Sequence, residues 1–190
     1  MVTHDDMKRE IWRKMLHMGV IAMLPIAMLS KGALVLVIFS LAVFYLAHES
    51  YVQGGGSIPL LTAAIQKAKR LGEQEIAHAP FLMGAGVLVT VLIFPLRPAA
   101  AGLLQLAFAD MAAALVGMTW GEHRLPHSPK KSVEGMCAYF IMAFALMLIL
   151  FSPGVSLVLA VAGAIIESLP YKDWDNFLIP AGVAALASFF

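Results

Sequence analysis

Apolar residues arrive along this chain in long runs separated by brief polar punctuation, with neither strict alternation nor a narrow stripe. A membrane-crossing helix needs about 20 mostly apolar residues, somewhat fewer where flanking groups snorkel. Segments near 15–30, 32–48, 79–96, 98–119, 135–151, 154–170 and 176–190 approach that requirement. Ser30-Lys31-Gly32, Pro95 with Pro98, and Ser152-Pro153-Gly154 supply the turns between neighbouring runs. The pattern predicts an all-α, polytopic membrane protein of about seven transmembrane helices. It forms one integral membrane domain over 1–190.

Two longer polar stretches remain, near 49–78 and 120–134. The first opens with Gly54-Gly55-Gly56, expected to act as a flexible tether. Ile58, Leu60, Leu61, Ala64, Ile65 and Ala68 follow, accompanied by Lys67, Lys69 and Arg70. Their spacing predicts an amphipathic helix lying in the membrane interface. The glycines are not a phosphate loop, because no G-x-x-x-x-G-K-[ST] accompanies them.

Composition sharpens this picture. Of 190 residues, 61% are hydrophobic and only 13% charged, a balance suited to lipid and not to water. The net charge of +1 gives no basis for a nucleic-acid partner. No polar stretch is long enough for a separate soluble domain. The first apolar run follows Lys8, Arg9, Arg13 and Lys14 as a secretory leader would, yet it lacks an A-x-A site and a second run follows at once. It is expected to be a retained span. Cys137, the single cysteine, lies in an apolar run; it can form neither an internal disulfide nor a cysteine-based zinc site and is expected to be a small core residue.

Lys and Arg set orientation. Lys8, Arg9, Arg13, Lys14, Lys67, Lys69, Arg70, Arg124, Lys130, Lys131 and Lys172, eleven of the 13, fall on one side of the seven-span arrangement. Only Lys31 and Arg97 fall on the other. The N-terminus is therefore expected in the cytoplasm and Phe190 outside. All 12 acidic residues and all six histidines gather toward the same face. Acids hardly influence insertion, so their one-sidedness points instead to a cytoplasmic site for a charged, water-soluble reactant. A transporter, the competing reading along with a lipid-binding scaffold, is expected to need polar groups along its whole path.

The candidate chemistry lies in a few constellations. Asp110 sits deep in the fourth span, where an unpaired carboxylate costs at least ~2.5 kcal/mol and is a functional candidate by default. Ala113, Ala114, Gly117 and Gly121 follow on the same helical face. They suit a ligand groove or, equally, a close helix contact. Lys130-Lys131-Ser132 precede a helix start, with Glu134 in its first turn. That grouping makes an anion site, or alternatively a positive-inside anchor with an ordinary cap. Glu167 has wholly apolar flanks near the end of the sixth span, and Asp175-Asn176 open the seventh. Arg13 and His17 share one face of the first helix, and His48-Glu49 close the second span. Carboxylates for a metal and cations for phosphate oxygens together suit phosphoryl transfer. No H-E-x-x-H or G-x-S-x-G supports zinc or serine chemistry.

These residues, in this order, resemble the dolichol kinase, phytol kinase and CTP-dependent diacylglycerol kinase group, distantly related to phosphatidate cytidylyltransferases. The resemblance is carried by Asp110-x-x-Ala113-x-x-x-Gly117-x-x-x-Gly121, Lys131-Ser132-Val-Glu134-Gly135, Glu167 with Asp175-Asn176-Phe-Leu-Ile-Pro180, and Arg13-Lys14-x-x-His17. Ala109 stands where relatives often have Gly or Ser, and Val52 where an arginine often follows Glu49. The cytidylyltransferase signature, rich in Gly, His, Asp and Arg, is missing from 170–190.

The resemblance implies transfer of the γ-phosphoryl of CTP to the hydroxyl of a membrane lipid alcohol, with Mg²⁺. It implies metal coordination and catalysis by Asp110, Glu167 and Asp175. Arg13, Lys14, His17, Gly117, Lys130, Lys131, Ser132, Glu134, Gly135 and Asn176 are implied to bind the nucleotide. The partners are then the bilayer, the lipid alcohol and CTP, in a cell or ER-type membrane. A homo-oligomer is compatible with the pattern.

Overall fold

The computed structural model describes residues 4–69, 77–171 and 173–190. Arg70 and Lys172, counted above among the basic residues of one face, lie outside the described residues. The chain begins with α1 (His4–Met18), a tight 3-10 turn (Gly19–Ala22) and α2 (Met23–Leu29). Proline 25 explains the tightening. It lacks an N–H, and its ring collides with the carbonyl four residues back, at Ile21, so regular helix bonding fails in the turn before it. The Ser30 hydroxyl accepts from the Ala33 N–H at 3.2 Å and starts α3 (Lys31–Gln53).

The three glycines after α3 do not form the expected tether. Gly54, Gly55 and Gly56 N–H groups donate back to Ser50, Val52 and Tyr51 carbonyls at 3.0–3.1 Å. Gly55 takes a φ of 88° that favours glycine, and a side chain on Gly56 would overlap the Tyr51 ring. They are a helix cap. The amphipathic segment follows as α4 (Pro59–Ala68), with Leu60 outward and Thr62 inward. It lies beside α1, where the Trp12 indole donates to the Ala64 carbonyl at 3.0 Å.

Next come α5 (Ala79–Ile93), α6 (Leu96–Leu104), a π-turn (Gln105–Ala109) and α7 (Asp110–Trp120). A two-stranded antiparallel hairpin follows, β1 (Arg124–Leu125) and β2 (Ser128–Ser132), within the stretch expected to be loop. The remainder is α8 (Val133–Leu150), α9 (Pro153–Ser168) and α10 (Asp175–Ala187). Among the described residues, four helical stretches are long and apolar enough to cross a membrane: Met7–Leu29, Lys31–Gln53, Leu96–Trp120 and Val133–Leu150. Ala79–Ile93, Pro153–Ser168 and Asp175–Ala187 are apolar but shorter. The architecture is thus an all-α bundle bearing one small hairpin.

Lipid tails are as apolar as leucine, so close packing and hydrogen bonds hold such helices together. Small residues permit that packing here. A Cβ on Gly86 of α5 would sit 2.7 Å from the Asn176 carbonyl, and one on Gly102 of α6 would strike the Pro180 carbonyl. The kink-prone stretch of α10 is therefore clasped between two glycines. On α8, Gly135, Tyr139, Ala143 and Met147 recur every fourth residue and face the bundle. Cys137 is consequently exposed, not core as expected; α8 is apolar on every side, and its hydropathy could not reveal which face turns inward. Leu36, Phe39, Phe44, Ile149 and Ile165 are exposed as well, an apolar exterior suited to lipid.

The two solitary cations mark one end of this bundle. Lys31 Nζ donates to the Leu92 carbonyl at 3.3 Å. Arg97 Nε donates to the Leu150 carbonyl at 2.8 Å, its guanidinium 4.2 Å over the Phe151 ring centre. Both satisfy carbonyls at helix C-termini, where a positive charge also complements the dipole.

Candidate active site

The other end of the bundle is where polar side chains converge. Five elements meet there: α1, one face of α7 from its first residue onward, the hairpin with the start of α8, the end of α9 and the start of α10. They enclose a cavity of about 770 Å³.

Lys14 from α1 pairs with the Asp110 carboxylate across 96 residues of sequence, both side chains buried. An uncompensated carboxylate at this depth is expensive, and its own ammonium partner offsets that cost. The π-turn directly before Asp110 is an irregularity that recurs at functional sites. One turn further along α7, Ala113, Ala114 and Gly117 continue the cavity wall. The same small residues serve a helix contact, since a Cβ on Gly135 would lie 2.9 Å from the Ala113 carbonyl. This face thus both borders the cavity and packs closely against α8.

The hairpin leading into α8 carries three of the cations, Arg124, Lys130 and Lys131. Ser132 caps α8, its hydroxyl accepting from the Gly135 N–H at 3.1 Å. Lys131 reaches across to α9 and α10. Its ammonium lies 3.1 Å from Glu167 Oε1 and 3.5 Å from Asp175 Oδ2, and it also donates to the Glu167 carbonyl. Lys130 and Arg124 line the mouth, exposed. Among the described residues neither has a hydrogen-bonding or ionic partner. Arg13 lines the cavity paired with Glu10 at 2.6 Å.

Ten of the thirteen residues to which the resemblance gives a role thus share one cavity: Arg13, Lys14, Asp110, Gly117, Lys130, Lys131, Ser132, Gly135, Glu167 and Asp175. Three do not line it. His17 donates from Nδ1 to the Arg13 carbonyl at 2.8 Å, and its Nε2 lies 2.8 Å from Asn176 Oδ1; both side chains are buried. That pair ties α1 to α10. Glu134 faces outward and takes hydrogen bonds from His123, from Nδ1 at 2.6 Å and from its backbone N–H at 3.2 Å. The Glu134 carboxylate beside it raises the His123 pKa above its ordinary 6.5.

Some lining residues had no sequence signal strong enough to single them out. Arg124 gave only a count toward orientation. Glu10, Tyr171 and Asp173 also line the cavity, and Asp173 takes a φ of 63° that aspartate tolerates better than most side chains. The Asp-Trp-Asp-Asn run around it was a usable hint of a cap and turn.

Whether a metal suits this site turns on its donors. Among the described residues no three His, Cys, Asp or Glu side chains draw together into a ready-made cage. The anionic donors facing the cavity are all carboxylates, Glu10, Asp110, Glu167, Asp173 and Asp175. Oxygen donors without imidazole or thiolate fit a hard cation such as Mg²⁺, which needs only one or two carboxylates beside substrate phosphates.

Comparison with known proteins agrees with the resemblance read from the motifs. Over 99 residues the chain is 34% identical to a phytol kinase of Synechocystis sp., a match covering 47% of this chain and 42% of the relative. Over 146 residues it is 30% identical to a probable chloroplastic phytol kinase of Triticum aestivum, covering 66% of this chain and 48% of that protein. The chain therefore shares distant homology with phytol kinases, and it spans less than half the length of these two relatives. No family model matches the chain. No solved structure matches it either.

Proposed function

We propose that this chain is a CTP-dependent kinase of membrane lipid alcohols, of the isoprenoid kind that a phytol kinase accepts. The observation that carries the reading is the single cavity at one end of an apolar bundle. In it five carboxylates, Asp110 and Glu167 among the buried ones, and five cationic side chains face one another. Phosphoryl transfer asks for positioning and charge, with little covalent work by the protein, and this lining supplies both.

In this proposal Arg124, Lys130 and Lys131 hold the triphosphate, with Arg13 completing the clamp. Asp110, with Glu167 or Asp175, would hold Mg²⁺, which supplies positive charge between the phosphates. Lys14 neutralises Asp110 in the resting protein and is placed to turn toward phosphate oxygen when a cation replaces it. Ser132, Gly135 and Gly117 let the start of α8 approach closely enough for its free N–H groups to face an anion. His17, Asn176 and Glu134 act one step removed, by fixing α1 on α10 and the hairpin on α8.

The lipid keeps its tail in the bilayer and presents its hydroxyl at the cavity. That oxygen bonds to the γ-phosphorus as the bond from the γ-phosphorus to its bridging oxygen breaks. CDP leaves, the lipid becomes a monophosphate, and the hydroxyl proton passes to a carboxylate of the Glu167–Asp175 pair.

Seven crossings, with the N-terminus and cavity in the cytoplasm and Phe190 outside, complete the proposal. Lys31 and Arg97 at the opposite end of the bundle support it, because the positive-inside bias then matches the helix order. The short helices α5, α9 and α10 span by local bilayer thinning and snorkelling.

The test uses purified full chain in nanodiscs with Mg²⁺, CTP labelled in either the γ- or the α-phosphate, and phytol, farnesol, a dolichol or diacylglycerol. Label should enter the lipid from the γ position only. Transfer from the α position would mark a cytidylyltransferase, and no transfer from CTP or ATP to any alcohol would defeat the kinase reading.

A further inference from the structure

Outside the cavity, the most informative polar group is a glutamine in the apolar middle of the bundle. Gln105 is completely buried, and a primary amide there is costly unless both of its ends are satisfied. Both are. Its Nε2 donates to the Leu159 carbonyl of α9 at 3.2 Å, and its Oε1 accepts from the Tyr139 hydroxyl of α8 at 3.1 Å. Gly163 of α9 makes room for this arrangement: a Cβ there would land on Gln105 Oε1 and lie 2.9 Å from the Tyr139 hydroxyl. One side chain is thereby fastened to two other helices at once.

The backbone of the same residue reaches the site. Gln105 opens the π-turn, and its carbonyl accepts from the Asp110 N–H, a bond spanning five residues in place of the usual four. The extra residue rotates everything beyond it by about 100° relative to an unbroken α-helix. The direction in which Asp110 points therefore depends on that turn being kept. An isolated π-turn is the less favourable form of helix and persists where its surroundings hold it.

We propose that Gln105 and Tyr139 are positioning residues, whose clamp holds the π-turn that aims Asp110 into the cavity. Neither lines the cavity, so they act through Asp110 and not on substrate. The effect on turnover rests on the kinase reading; the effect on the turn itself does not.

The experiment compares the full chain in nanodiscs with Tyr139→Phe, which removes only the hydroxyl, and Gln105→Met, which keeps the length. Steady-state kinetics with CTP and phytol should show kcat reduced about tenfold or more, with KM for CTP changed by less than about twofold. Amide hydrogen exchange should accelerate about tenfold or more across 105–110 while 79–93 keeps its protection. Faster exchange without a loss of kcat would overturn the positioning role, and a loss of kcat with unchanged exchange would overturn the clamp. Acceleration spread evenly over all helices would reduce the pair to ordinary packing and also overturn it. If the wild-type chain transfers no phosphoryl group, the kinase reading has failed. The exchange measurement then decides by itself whether the clamp holds the turn.

Discussion

The acid–lysine pairs Glu49–Lys69 and Asp110–Lys14 are made of the same chemistry, each around a buried carboxylate. Glu49, at the end of α3, meets Lys69, just beyond α4, at 2.5 Å. Asp110, at the start of α7, meets Lys14 of α1. The first pair sits beside His48, whose Nε2 lies 3.0 Å from the Thr62 hydroxyl, and neither of its members lines the cavity. The second opens directly onto about 770 Å³ of space bordered by three more cationic side chains, all on the hairpin before α8. A buried ion pair is thus no sign of function in itself. What distinguishes Lys14–Asp110 is that it faces the cavity, so that in the proposed function its carboxylate would exchange the ammonium for a metal ion. Glu49–Lys69 lies away from that cavity and joins the end of α3 to the end of α4.

Substitutions should separate the two pairs. Asp110→Asn keeps the shape and removes the charge; lipid phosphorylation should fall about a thousandfold, since charge stabilisation of the transferring group is lost, while expression and insertion persist. Turnover within a few-fold of normal would remove Asp110 from the chemistry. Lys131→Ala should raise KM for CTP about tenfold, with a smaller change in kcat, because a phosphate contact kept from ground state to transition state acts on binding. An unchanged KM would detach the hairpin cations from the nucleotide.

Glu49→Gln should act the other way round. It strands a cation that can still snorkel toward water, at a cost of about 1–2 kcal/mol in a thermal melt, below the 3–5 kcal/mol of a fully enclosed pair, with kcat unaltered. A loss of turnover without a loss of stability would erase the contrast.

The smallest effect concerns His123 and Glu134. The folded-state pKa of His123 is raised, so its contribution is fully present below about 6.5, the unfolded value. It is lost as pH rises through the folded value. Melting temperature should slip slightly across that window, and His123→Asn should abolish the slope. A steeper slope in the variant would contradict the assignment.

The legible part of this structure was the part written in local patterns. Apolar runs placed most helices to within a few residues, although the first run, near 15–30, missed that α1 begins at His4 and breaks at Gly19–Ala22; Ser132 announced its cap, and the Lys/Arg imbalance separated Lys31 and Arg97 from the remaining cations. Four motifs far apart in the sequence carried a resemblance that distant phytol kinases share.

What escaped depends on distance or on shape. Lys14–Asp110 joins residues 96 apart, and no local rule pairs them. The hairpin at 124–132 is polar and short, without the alternation that marks a strand. Three consecutive glycines permit a tether and a cap equally, and the outcome depended on the Tyr51 ring packing over Gly56. Gln105 did leave a signal, a lone amide within an apolar run. Its meaning required knowing that Tyr139 and Leu159 stand at either end of it.

The central claim is that this cavity holds a nucleotide with its metal, and reagent protection addresses it most directly. Ala114 lines the cavity wall without belonging to the proposed charge set. In a Cys137→Ser background, Ala114→Cys should react with a membrane-impermeant maleimide only from the side that carries the N-terminus. Mg²⁺ with CTP should slow that reaction at least about tenfold, and adding Asp110→Asn should remove the protection. Equal rates with and without nucleotide, or labelling from the side that carries Phe190, would contradict the account.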